Sequence, residues 1–253
     1  MEADQHIELA VTRWAAWAPG LTDHAAWHSW AEGAESVSEP DAPDVKFVAP
    51  LMRRRLSRLS RMAFRAAADC LTDECEPTAF VFCSRYGEYH RSFGILENLV
   101  KEEPASAAAF SMTVHNTSVS LFAIEKQSTV QSTAIAGGET TLESAFLEAW
   151  SLLTSNAGAP VLVVYHDEPL PNLYQGQDTT VATSAAFAML LQLPNTAPNA
   201  THLQLAWNSA NPEKDQAKTP MDPALLVLRL LLQSGEPVVL ATDRLEWTWS
   251  TNA

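Results

Sequence analysis

Glycine, cysteine and positive charge are all scarce in this chain. Nine glycines occur in 253 residues, with neither a G-x-x-x-x-G-K-[ST] nor a G-x-G-x-x-G run. No backbone cradle for nucleotide phosphates is therefore expected, and no cofactor is predicted. Cys70, Cys75 and Cys83 are odd in number and form no C-x-x-C pair, which excludes a disulfide framework and fits a reducing, cytoplasmic setting. Lys and Arg number 16 against 30 Asp and Glu, a formal net charge of −14. That balance argues against nucleic acid or an anionic membrane as the main partner, because phosphate binding needs a dominant basic surface. No run approaches the ~18 apolar residues that span a bilayer, and Met1–His6 lacks a basic segment followed by an apolar core, so neither membrane insertion nor a signal peptide is expected. Repeats and low-complexity segments are absent as well.

The length fits one α/β domain, residues 1–253, able to bury a sizeable core. Strands are predicted at Ile7–Trp17, Ala79–Cys83, Ser128–Ala134, Pro160–Tyr165, Thr179–Leu193, His202–Trp207 and Val238–Trp249. Helices are predicted at Asp23–Glu32, Leu51–Cys70, Phe93–Lys101, within Phe110–Ile124, at Thr140–Leu153 and at Pro223–Gln233, the last stopped by Gly235. Glu35–Pro50, Pro104–Ala109, Asn195–Asn199 and Asn208–Pro220 read as connections. Strands alternating with helices predict a layered α/β sheet.

Ser132-Thr133-Ala134-Ile135-Ala136-Gly137-Gly138-Glu139 carries a small-residue turn from a strand into a strongly helical run. Helix starts of this kind favour developing negative charge and often display a nucleophile. Here Ile135 stands at the turn and offers no nucleophilic atom. From the residues alone it is either a core residue at an ordinary junction or a vacated catalytic position.

The run from Ala105 to Tyr165 resembles the N-terminal half of a β-ketoacyl synthase, of the thiolase-like superfamily. The matching pieces are Phe110-Ser111-Met112-Thr113-Val114-His115-Asn116, then Ser132–Glu139, Ser144-Ala145-Phe146 and the strand Pro160–Tyr165. The resemblance implies a thiolase-like half-fold, a layered mixed sheet with helices on its faces. Thr133-Ala134-Ile135-Ala136 then falls on the family's cysteine-bearing elbow, with Ile135 where the acyl-accepting cysteine would be. Ala136-Gly137-Gly138 is also similar to the elbow of chain-length factors, non-catalytic relatives of ketosynthases. The family's catalytic histidines belong to the C-terminal half, which has no counterpart in this reading.

By the same resemblance Phe110, Met112, His115 and Thr117 would border a partner's acyl tunnel, with Asn116 fixing the turn through its side chain. The strand carrying Thr129 and Thr133 would pair with its counterpart across a dimer axis, covering an edge that otherwise exposes backbone. Packing of the local core, or an edge capped by solvent, is the alternative for each. Arg54, Arg58, Arg61 and Arg65 share one face of the predicted helix Leu51–Cys70, flanked by Arg53 and Arg55. They form either a docking face for an acidic acyl carrier protein or a face neutralised by the abundant Asp and Glu. His24 and His28 are four apart on a short helix, yet Trp27 and Trp30 beside them point to packing, and no metal site is predicted.

These readings converge on a chain that is not itself an enzyme: a chain-length-factor-like subunit pairing with a full-length β-ketoacyl synthase in type II polyketide or fatty-acid-like biosynthesis. Short ketosynthase-like chains of this kind resemble components of aryl-polyene or xanthomonadin-type pigment pathways. The competing readings are an independent acyl-transferring or thioester-hydrolysing enzyme, which would need Ser111 or Cys83 as nucleophile, and a homodimeric carrier-protein docking module.

Overall fold

Buried strands that alternate their side chains between two apolar faces need helices on both, and this chain supplies them. The fold was analysed in a computed structural model that describes residues 5–38, 41–72, 76–101, 104, 106–155, 159–174, 181–210 and 221–252. Cys75 and most of the predicted connection Asn208–Pro220 lie outside these residues. In chain order the elements are β1 (Gln5–Trp17), α1 (His24–Ala31), α2 (Pro50–Arg53), α3 (Arg58–Cys70), β2 (Ala79–Cys83), α4 (Tyr89–Val100), α5 (Ala107–Phe110) and α6 (Thr117–Glu125). There follow β3 (Gln131–Ile135), α7 (Thr141–Ser155), β4 (Val161–Asp167), β5 (Ala185–Gln192), β6 (Thr201–Ser209), α8 (Pro223–Gln233), β7 (Val238–Ala241) and β8 (Leu245–Asn252).

Among the described residues the strands form one mixed sheet in the order β3-β2-β4-β5-β1-β6-β8-β7. β2 runs parallel to β3 and β4, whereas β5 is antiparallel to both β4 and β1. Val81, Cys83, Val163, Tyr165 and Phe187 point to the side covered by α1, α7 and α8. Phe80, Phe82, Leu162, Val164 and Ala188 point to the side covered by α3 and α6. Two covered faces explain why β2 and β4 read as continuous apolar runs rather than alternating ones. Phe122 of α6 anchors the second face, edge-on to Phe64 and Phe80 at 5.2 and 5.4 Å. On the first face Trp249 of β8 meets Phe146 of α7 at 4.9 Å and donates its indole N–H to the buried Glu143, 3.0 Å away. This is the expected layered mixed sheet.

Several predicted boundaries are corrected. The helix Leu51–Cys70 is two helices: Ser57 turns extended, accepts the Ser60 N–H as N-cap of α3, and donates its hydroxyl to Glu88 at 2.7 Å. Capping plus a long-range hydrogen bond outweigh the helical propensity of Arg54-Arg55-Leu56. The strand predicted from Ser128 begins at Gln131, because Gln127 closes α6 with a positive φ of 50° and leaves Ser128–Val130 to reach the sheet edge. Val238–Trp249 is a hairpin rather than one strand, folded where Thr242 N–H bonds Leu245 O at 2.8 Å. Of the strand predicted over Thr179–Leu193, Thr179 and Thr180 lie outside the described residues and β5 takes Ala185–Gln192, while α5, capped by Ser106, starts at Ala107 within the connection Pro104–Ala109. Ser234, not Gly235, takes the left-handed conformation that ends α8.

Candidate functional site

The predicted elbow is present as a strand–turn–helix junction. β3 ends at Ile135, Ala136 and Gly137 turn the chain, a 3-10 turn covers Gly138–Thr140, and α7 follows. Gly138 adopts φ +61°, and a Cβ on Gly137 would stand 2.8 Å from Ser144 Oγ and 3.0 Å from the Thr140 carbonyl, so both glycines are required by the turn. Thr141 Oγ1 accepts the Gly137 N–H at 3.0 Å and donates to Gly138 O at 2.8 Å. Ile135 is the last strand residue rather than the apex of the turn. Its side chain is half-buried against the α7 core, in cross-sheet register with Cys83, and Cys83 in turn with Tyr165.

The Ile135 carbonyl is the meeting point of three segments. It accepts the Ser84 N–H at 3.2 Å and His115 Nε2 at 3.0 Å. Since a carbonyl only accepts, Nε2 carries the proton. Gly87, with φ +58°, makes room for that imidazole: a Cβ there would lie 2.6 Å from His115 Nδ1. His166, buried at the end of β4, is pushed down to about 3 by burial and by the nearby His115, and is neutral.

Behind the junction lies a cleft of about 30 Å³, lined among others by Arg85, Glu143, Tyr165, Asp167 and Asp222. That is water-sized, far too small for an acyl chain. Tyr165 donates its hydroxyl to Asp222 at 2.9 Å, and Asp222 caps α8 through the Ala224 N–H. Burial raises Asp222 to about 6 and Asp167 to about 7, although Asp167 accepts from Ser84 Oγ and from the Arg85 and Tyr86 N–H groups.

The predicted site residues are only partly brought together. Phe110 ends α5 and is 64% exposed, Met112 is half-buried against the α3–α6 core, and His115 turns inward to the junction. Asn116 precedes α6 without a side-chain capping bond, correcting the role given to it. Thr117 is buried, so it borders no open surface. Thr129 precedes β3, and Thr133 within it donates to Glu148 of α7 at 3.3 Å.

Arg58, Arg61 and Arg65 share one face of α3, but Arg54 does not join them, because the helix breaks between Arg54 and Arg58. Arg58 pairs with Glu168 at 3.1 Å and donates to Ser184, and Arg65 pairs with Asp69 while its guanidinium lies over Phe47. Arg61 donates to the Arg53 carbonyl at 3.3 Å, and Arg54 and Arg55 stand exposed in the turn. His24 and His28 pack against Trp14, and among the described residues no group of three or more His, Cys, Asp or Glu is placed to hold a metal ion. Cys83 is fully buried and its thiol is pushed well up by burial, which leaves it protonated. Ser111 Oγ donates to the Ala108 carbonyl at 2.9 Å within its own turn.

Sequence reasoning missed Gly87, Glu88 and Asp167. Asp167 had a legible signal, a carboxylate ending the apolar run Val161–Tyr165; Gly87 and Glu88, in a polar stretch without periodicity, had none.

At the sheet's end, the outer edge of β3 is unpaired among the described residues. α4 buries none of its residues and exposes Leu96, Leu99 and Val100, and it packs against α5. Among the described residues no helix is long and apolar enough to cross a membrane.

Comparison with known proteins gives this geometry a family. The fold is similar to a chain of the ketosynthase (ApeO) in complex with its chain length factor (ApeC) from Xenorhabdus doucetiae: TM-score 0.81, 27% identity, 96% of this chain and 99% of that one covered. It is also similar to the ishigamide ketosynthase/chain length factor, with TM-score 0.65, 16% identity and coverage of 90% and 72%. The ketosynthase from module 1 of the bacillaene synthase of Bacillus amyloliquefaciens FZB42 shares the fold at TM-score 0.58 and 17% identity, covering 84% of this chain and 48% of that one. No curated protein matches the chain. The family model of the β-ketoacyl synthase N-terminal domain matches residues 27–250, and the chain belongs to that family.

Proposed function

We propose that this chain is a non-catalytic, chain-length-factor-like subunit that pairs with a full-length β-ketoacyl synthase in an aryl-polyene type of pathway. The observation that carries the reading is the strand–turn–helix junction, with Ile135 where the resemblance puts the family's cysteine. A junction kept in shape without its reactive atom serves architecture, not acyl transfer. The partner would supply the cysteine and histidines and condense carrier-bound acyl chains. The unpaired β3 edge and the exposed apolar side of α4 and α5 are the surfaces such a partner would cover. The likeness to a chain of a ketosynthase–chain length factor complex, over nearly the whole of both chains, supports the same assignment. Contact with an acyl carrier protein would fall to Arg54 and its neighbours in the α2–α3 turn, since Arg58 and Arg65 are engaged within the chain. Cys83, a buried thiol, suits a cytoplasmic setting.

The test is co-expression with a full-length ketosynthase encoded nearby, followed by size-exclusion chromatography with light scattering. A stable 1:1 complex is expected, with condensation activity lost when this chain is omitted. A chain that stays alone or pairs with itself would overturn the assignment. Within the complex, Phe110→Ala should lengthen the products, because the exposed ring is the largest group this segment presents to a partner. Unchanged product length on substitution of Phe110, Met112 and His115 would remove the tunnel role while leaving the pairing.

A further inference from the structure

The run Ser84–Glu88, between β2 and α4, is held at each end by a buried carboxylate. At one end Asp167 takes three donors: Ser84 Oγ at 2.9 Å, the Arg85 N–H at 2.6 Å and the Tyr86 N–H at 3.4 Å. At the other, Glu88 Oε1 takes the hydroxyls of Ser57 at 2.7 Å and Ser60 at 2.6 Å, while Oε2 pairs with Arg91 at 3.2 Å. Between them Ser84 N–H reaches the Ile135 carbonyl, Gly87 N–H reaches Ser84 Oγ at 2.7 Å, and Gly87 backs the His115 ring. Asp167 is 1% exposed and Glu88 5%. α4 starts directly after this run and buries no residue of its own, so no core contact of the helix fixes where it points. Besides α5, its support comes from Tyr89 and Phe93, edge-on to Tyr174 at 5.3 and 5.9 Å, from His90 Nε2, 2.8 Å from the Pro169 carbonyl, and from Arg91, which donates to the Arg55 carbonyl.

We propose that Asp167 and Glu88 are positioning residues for the partner-facing side: acting through Ser84–Glu88, they set where α4 and His115 sit relative to the β3–α7 junction. The proposal rests on the reading above that the exposed side of α4 meets a partner. Its physical basis is that each carboxylate satisfies donors from separate segments at once. Glu88 ties α3 to the base of α4, and Asp167 ties the end of β4 to the end of β2. Removing such an acceptor leaves buried donors unpaired and frees the segment they held. The Glu88 carboxylate also ends the chain Ser118–Ser60–Glu88, in which the two hydroxyls lie 3.1 Å apart, so α6 is tied into the same seat.

The test compares Glu88→Ala and Glu88→Gln in the full chain, by amide hydrogen exchange and by binding to the ketosynthase that co-purifies with the wild type. Glu88→Ala should raise exchange across residues 89–100 by at least about tenfold, with β4 and β5 unchanged, and weaken binding by about tenfold, the loss expected for a charged acceptor. Glu88→Gln, which keeps one oxygen for the two serines, should recover part of both. Unchanged exchange in 89–100, an equal rise throughout the sheet, or full binding by a chain whose α4 has loosened would each overturn the positioning role. Should the wild type bind no ketosynthase, the partner assignment fails, and the exchange pattern alone decides whether Glu88 seats α4. Should Glu88→Ala not fold, Glu88→Gln and Asp167→Asn carry the same comparison.

Discussion

Two glutamates on α4, Leu96→Glu with Leu99→Glu, are expected to abolish association with the ketosynthase while leaving the fold intact. Both leucines are about half exposed, at 53% and 51%, and α4 buries no residue, so the substitutions remove no core contact. Surface changes of that kind stay within roughly 0.5 kcal/mol of wild-type stability. In the complex the same positions would be desolvated, and two unpaired carboxylates in an apolar interface would cost several kcal/mol, enough for a loss of a hundredfold or more. Thermal melting should therefore be unchanged while light scattering shows only the single chain. A complex of undiminished stability would place the partner elsewhere on the surface.

The second large effect is on pH. Asp167 is raised to about 7 and Asp222 to about 6 by burial, whereas His166 is held down near 3. Between pH 4 and 7 the folded chain keeps a proton on Asp167 that the unfolded chain has lost, so this group makes stability fall as pH rises through that window. Asp222 acts in the same direction between about 4 and 6. His166 opposes them: the unfolded imidazole takes a proton below its ordinary value of 6.5 that the buried one refuses, so its contribution is lost as pH falls. Glu143, also raised by burial, adds to them, so three carboxyls against one imidazole leave a net loss of stability on raising pH from 4 to 7. Asp167→Asn should make the fall shallower between pH 4 and 6, because His166 is then opposed only by Asp222 and Glu143. Denaturant unfolding of both proteins across this range makes the measurement, and the difference between the two curves isolates Asp167 from the general effect of net charge. Parallel curves would show that Asp167 does not titrate in this window.

What could be read in the sequence follows from how local its causes are. The bounds of Pro223–Gln233 were legible because its leading proline and apolar periodicity lie within the segment, although Ser234 rather than Gly235 ends it. The apolar runs of β2 and β4 were legible as well, since burial on both sides leaves no alternation to misread. The break between α2 and α3 was not, because it depends on Glu88, thirty-one residues away, taking the Ser57 hydroxyl. The hairpin of β7 and β8 was hidden for a related reason: Thr242 and Leu245 close it with paired bonds, while the flanking residues read as one extended run. At the site, the strand–turn–helix junction was legible through motif order, but Ile135 ends the strand instead of standing at the turn. The inward turn of His115 was not legible, because it needs a space that only Gly87 leaves open.

That space makes the choice of residue at 87 depend on the residue at 115. Any side chain at 87 would meet both an unfavourable left-handed backbone and the imidazole at 2.6 Å, so residue 87 cannot change while His115 keeps this place. Substitution at 87 is therefore expected to be tolerated less well than substitution at 115, where a smaller side chain meets no such backbone demand.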